Sequence, residues 1–203
     1  MYVLAAIILR HSLIIITTLF WTTLSFGQTP KEEEFAKTVK QVILKLSKRD
    51  SLGLATLIDK KIGVYILYVI GTKETWEHFT TIGFSDTTNI PLYPFYDNVK
   101  FSTLKYASLP TFNCATEKWT KKGLYVDTTK IDHKVSKIAK WRNKNYQDKI
   151  PIKTISKFND LEVKSRRVVV ANNNGNELIF YLSYINNKWV LTIIDKATSD
   201  CSV

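Results

Sequence analysis

Glycine is too scarce in this chain for a phosphate-cradling loop of the kind many nucleotide-binding proteins use: there are seven in 203 residues. No P-loop and no Gly-x-Gly-x-x-Gly segment occurs, and no Gly-x-Ser-x-Gly elbow marks a hydrolase nucleophile. Histidine is scarcer still, with His78 and His133 the two beyond residue 11. Catalytic zinc sites usually take three protein ligands, and no H-E-x-x-H motif is present. Glu74 and His78 are four apart and would share a helical face, but with no second histidine nearby they read as a surface pair. Asp132 and His133 are neighbours, and neighbouring helical residues point about 100° apart, so they do not form a dyad. The carboxylates are too scattered to pick out a glycosidase pair. On these grounds the sequence marks no catalytic, cofactor-binding or metal-ligating residue, and enzyme activity is the minority reading.

What is present begins with an address. Leu13 to Leu24 is an apolar run preceded by Arg10 and His11 and followed by Ser25-Phe26-Gly27. That is the three-part build of a secretory signal peptide. The run falls short of the ~20 apolar residues that span a bilayer. Residues 1–27 are therefore expected to be a signal peptide, with Gln28 first in the mature chain and 28–203 a single domain. The alternative is an uncleaved N-terminal anchor, which would place Arg10 in mid-membrane at a cost of about 3 kcal/mol. The expected location is exported, periplasmic or extracellular, with no transmembrane anchor after cleavage.

In such a compartment two cysteines, Cys114 and Cys201, are expected to form a disulfide. Neither lies in a Cys-x-x-Cys motif. The chain is basic, with 29 Lys+Arg against 18 Asp+Glu. The excess is local: Lys118 to Arg167 holds 15 basic and 5 acidic residues, and the remainder of residues 28–203 is balanced. A charge of this size attracts anions without dictating a fold. After export the expected anions are phospholipid headgroups, lipopolysaccharide phosphates and acidic polysaccharides rather than nucleic acid.

Aromatics are plentiful and proline is sparse, with no low-complexity tract and no internal repeat, so a real core is expected. Thr29-Pro30-Lys31-Glu32 opens a helix to Arg49, with Phe35, Val39, Val42, Ile43 and Leu46 on one face. A short helix is expected after Asp50-Ser51, a strand over 62–70, and a short helix over 74–81. Residues 84–98 read as irregular. Strands are expected near 100–106 and 123–126. A helix capped by Thr128 or Thr129 should run to Asn145 with Ile131, Val135, Ile138 and Ala139 inward, and another short one should run from Pro151 through Phe158. Strands over 166–171, 178–185 and 189–194, with turns at 172–176 and at Asn186-Asn187, complete an antiparallel meander. The class is α+β: an N-terminal helix on a mostly antiparallel curved sheet, in the manner of cystatin-like or nuclear-transport-factor-2-like folds.

Gly63-Val64-Tyr65-Ile66-Leu67-Tyr68, then Trp76-Glu77-His78-Phe79, and the ending from Trp189 to Asp195 with Asp200-Cys201-Ser202 resemble features of exported proteins of uncharacterised function in Gram-negative bacteria. The resemblance covers much of the chain after residue 27. It implies export and one compact domain, and it brings no activity or site.

One constellation remains. Lys130, Lys134, Lys137, Trp141 and Lys144 fall along one side of the 128–145 helix, next to its apolar face. A tryptophan among lysines suits an interface where anionic groups meet apolar surface. Lys121, Lys122, Lys164, Arg166 and Arg167 would extend the patch if the fold gathers them. The competing reading packs Trp141 at the core edge under lysine stems. The expected function is a non-catalytic binding or interaction module whose partner is an anionic envelope component or another envelope protein. The alternative is a small enzyme or ligand-binding protein with a pocket between the sheet and the N-terminal helix. No cofactor is expected.

Overall fold

The chain begins its described structure with a helix whose buried face is the one its apolar spacing predicts. The computed structural model describes residues 29–85, 96–97, 99–147, 149–172 and 177–201. The signal peptide expected over 1–27, Gln28, most of the 84–98 segment expected to be irregular and residues 173–176 of the expected turn lie outside them. Residues 34–203 form one compact unit.

Helix α1 spans Pro30–Ser47, with Phe35, Val39, Val42, Ile43 and Leu46 buried. Asp50 then caps α2 (Ser51–Ala55), its Oδ1 accepting the Gly53 N–H at 2.8 Å. Gly63 has φ 71°, and a Cβ there would collide with His78 and the Phe79 carbonyl. That conformation favours glycine, and β1 (Val64–Ile70) starts just after it.

The expected helix over 74–81 is instead a strand, β2 (Lys73–Phe79). Ile70 pairs with Lys73 across a two-residue loop whose first residue, Gly71, has φ 59°. A positive φ there suits a tight hairpin turn, and Thr75, Trp76 and Phe79 are good strand residues. Pairing with β1 therefore overrides the helical spacing of Glu74 and His78.

Short strands β3 (Leu104–Tyr106), β4 (Phe112–Asn113), β5 (Lys118–Trp119) and β6 (Gly123–Val126) follow. Helix α3 covers Lys134–Asn145 and α4 covers Ile152–Val163. The strands β7 (Ser165–Ala171), β8 (Leu178–Ile185) and β9 (Lys188–Asp195) form the meander. Asn186 and Asn187 have φ of 50° and 60°, as a type I′ hairpin turn requires.

The main sheet has seven strands in the order β2-β1-β9-β8-β7-β6-β3. β1 runs parallel to β9 and β3 parallel to β6, and the other pairs are antiparallel. The α+β class thus holds. One core lies between this sheet and α1 and α2, where Phe35 meets Trp189 edge-on at 4.8 Å. A second core lies on the opposite face, under α3 and α4, and includes Leu67, Val135, Ile138, Phe158, Val169 and Tyr181. Two covered faces explain the unbroken apolar runs at 168–171 and 178–182.

The helix expected from Thr128 starts six residues late. The Asp127 carboxylate accepts from the Thr129 N–H at 2.8 Å and its hydroxyl at 2.6 Å. Such a local turn competes with helix formation. Ile131 consequently lies outside the helix and is 52% exposed rather than inward.

Cys114, in the turn after β4, is bonded to Cys201, with Cα atoms 5.5 Å apart. Phe112 and Trp119 of the β4–β5 hairpin stack edge-on at 5.2 Å and pack on the second core. The disulfide therefore ties the chain end to a hairpin already docked on the α3 and α4 layer. Among the described residues no helix is long and apolar enough to cross a membrane.

Candidate functional site

Period-two alternation sends neighbouring residues of β7 to opposite faces. Arg166 lies over the Phe35 and Trp189 rings on the α1 side. Arg167 points to the α3 side, where Nη1 stands 3.3 Å from Asp132 and Nη2 3.2 Å from Asp195. The two arginines therefore do not extend one common patch.

Asp195 is the centre of a buried polar cluster. Its Oδ1 accepts from the Ala197 and Thr198 N–H groups, and its Oδ2 from the Thr198 hydroxyl at 2.8 Å. Lys134 Nζ is 3.3 Å from Asp195 Oδ2 and 3.3 Å from Glu74, and it donates to the Thr198 hydroxyl at 2.7 Å. Tyr181 donates its hydroxyl to Asp132 at 2.7 Å. Burial first, and then the nearby Asp195, push the Tyr181 pKa well up, so the phenol keeps its proton. A buried charge needs such partners, and this set reads as a tie between β9, β7 and the start of α3.

Asp132 and His133 diverge as expected, but into different partners. Asp132 takes Arg167 and Tyr181, while His133 Nδ1 sits 3.5 Å from Glu162 Oε2. Glu162, from α4, accepts the Val135 and Ser136 N–H groups of α3 at 2.6 and 3.2 Å. It satisfies two of the open donors at a helix N-terminus that has no cap of its own. Burial pushes its carboxyl pKa up, against the pull of those hydrogen bonds.

Glu74 and His78 share the α3-facing side of β2. Four residues along a strand separate them by about 13 Å, so one ion would not bridge them. His78 Nε2 is 2.7 Å from the Ile62 carbonyl, and its ring stacks on Tyr65.

The lysine-tryptophan stripe divides. Lys134, Lys137, Trp141 and Lys144 follow one line on α3, and Lys130 precedes the helix. Lys134 is drawn inward to Asp195, with its side chain 17% exposed. Lys137 and Lys144 are exposed, and no carboxylate among the described residues pairs with either. Trp141 is half-buried: its ring meets Tyr146 edge-on at 5.4 Å, and Lys73 Nζ stands 5.2 Å from its centre. Trp141, Tyr146 and Lys73 wall a cleft of about 390 Å³, closed by Ile70, Glu74 and Arg142, and none of the stripe's lysines lines it. Lys73, Arg142 and Tyr146 escape a reading by spacing because β2 supplies the opposite wall and Tyr146 lies past the end of α3. The space between sheet and α1, where a pocket was the alternative expectation, holds buried side chains, among them Phe35, Val39, Val42 and Ile43 at no more than 1% exposed. Set beside known proteins, the chain matches no family model, no curated protein and no solved structure.

Proposed function

We propose that this chain is an exported, non-catalytic binding module that engages an anionic component of the cell envelope through the exposed side of α3. The observation that carries the reading is Trp141, held half-open at a cleft wall beside Lys73 and Arg142. Lys137 and Lys144 flank it, and neither pairs with a carboxylate among the described residues. An aromatic ring with cations around it suits a surface where apolar and anionic groups meet. Glu74 lies in the same cleft, but Lys134 stands beside it. The Cys114–Cys201 bond supports the export part of the reading, since such bonds persist in oxidising compartments. The filled interface under α1 supports a module over an enzyme with a pocket there.

Binding to phosphatidylglycerol vesicles and to lipopolysaccharide tests the proposal. The double variant Lys137→Gln, Lys144→Gln should bind more weakly while unfolding at the wild-type temperature. Trp141→Ala should lose affinity as well. Undiminished binding by both variants would place the contact elsewhere and sink the assignment to α3.

A further inference from the structure

A second cleft, of about 490 Å³, opens at the other end of the α4 layer. Its size falls in the range of small-molecule sites, roughly 300–1,000 Å³. The floor is apolar: Tyr65 of β1, Phe158 and Leu161 of α4, and Ile185 at the end of β8. Phe158 is held in place by edge-on contacts to Tyr65 at 5.3 Å and to Trp76 at 5.4 Å. The side wall is fixed by His78, whose Nε2 lies 2.7 Å from the Ile62 carbonyl and whose ring leans on Tyr65. Only a residue without a side chain passes this wall, because a Cβ on Gly63 would strike His78.

The rim is cationic. Lys157 and Lys164 stand seven residues apart on the cleft side of α4, and Lys61 faces them from the loop before β1. All three are exposed, and among the described residues none of their ammonium groups meets a carboxylate; the Lys61 backbone N–H donates to Asp59 at 2.9 Å. Asp160 is the single carboxylate lining the cleft. It lies within reach of Lys157 and Lys164 by helical spacing, yet it forms no ion pair with either. Three ammonium groups against one carboxylate leave the rim with a net positive charge over an aromatic and aliphatic floor.

We infer that this cleft binds one amphipathic anion: a phosphate, sulfate or carboxylate head at Lys61, Lys157 and Lys164, carrying an acyl or aromatic body laid over Tyr65, Phe158, Leu161 and Ile185. Head and body are both needed. A bare phosphate gains only screened contacts with exposed lysines, and a cationic amphiphile meets repulsion at the rim. The site is separate from the α3 surface and does not depend on it.

Titration calorimetry with monomeric dodecyl phosphate, below its micelle threshold, tests this. Saturable one-to-one binding is expected, with amide shifts in solution NMR centred on Tyr65, Phe158 and Ile185. Inorganic phosphate and dodecyltrimethylammonium should each bind at least about tenfold more weakly. The triple variant Lys61→Gln, Lys157→Gln, Lys164→Gln should also lose about tenfold, which is the sum expected of three exposed charge contacts. Amide shifts centred on Trp141 and Lys144 instead would place the anion on α3 and overturn the assignment here, which keeps this result distinct from the test of α3. Many-fold unsaturable uptake, equal binding of the cationic amphiphile, or an unaffected triple variant would overturn the assignment.

Discussion

Lys134 and Lys137 lie three residues apart on α3 and serve different ends. Lys134 sits between Asp195 and Glu74 and donates to the Thr198 hydroxyl, whereas Lys137 points to solvent. Lys134→Gln strips a partly buried cluster of one cation, and hydrogen bonds to charged groups contribute about 1.5–3 kcal/mol. Chemical denaturation should therefore show a loss of that order for Lys134→Gln and a change within about 0.5 kcal/mol for Lys137→Gln. Equal stabilities would mean that the Asp195 cluster does not hold the fold. Lys196, next to Asp195, gives a pH signature. Burial pushes its pKa down to about 8 from 10.5, against the opposing pull of Glu177 and Asp200. Between those two values the unfolded chain holds the proton that the folded chain has lost, so stability must rise with pH in that window. Unfolding midpoints measured from pH 8 to 9.5 should climb for the wild type more than for Lys196→Met. Parallel curves would show that Lys196 titrates normally. The window stops short of 10 because buried Tyr181, whose pKa is raised, acts in the opposite sense above it.

At the scale of elements, the disulfide joins the β4–β5 hairpin to the chain end across 87 residues of sequence. In the chain-entropy model a loop of that length is worth about 4–5 kcal/mol. Reduction followed by alkylation should lower the denaturation midpoint accordingly, with α1 and the meander still formed at low denaturant. A midpoint indifferent to reductant would assign the bond no part in stability. This pairing was legible from two cysteines and an N-terminal apolar run read as an export signal, and α1 was legible from five apolar residues at helical spacing. The meander was legible too, because Asn-rich turns and runs of β-branched and aromatic residues are local signals. The β2 strand was not. Glu74, Trp76 and His78 satisfy a helical reading until the hairpin at Gly71 pairs Trp76 with Leu67 and His78 with Tyr65. The true start of α3 was hidden by Asp127, whose carboxylate engages Thr129, one of the two threonines expected to cap the helix. The second helical layer had a signal that spacing alone did not decode: Val168 to Ala171 is apolar at every position, as only a strand covered on both faces allows. Of the α3 surface, the stripe was legible but not its division. Which lysine turns inward depends on Asp195, sixty-one residues further along the chain.

At the scale of the whole molecule, a charge imbalance along the chain becomes an imbalance between layers. The 118–167 window that carries the basic excess contains α3 and α4 in full. Helix α3 carries five of those basic residues and no carboxylate, whereas Arg166 of the same window lies on the α1 side. Both clefts described above open beside the α3 and α4 layer, and both have lysines at their edges. An electrostatic partner should approach from this side, with an attraction screened over about 8 Å at physiological ionic strength. Cosedimentation of the chain from Gln28 onward with phosphatidylglycerol or phosphatidylcholine vesicles, across a salt series, tests the claim most directly. Binding to the anionic vesicles alone, strong at low salt and falling steadily as salt rises, is the predicted result. Equal binding to both kinds of vesicle, or none to either at the lowest salt, would contradict it.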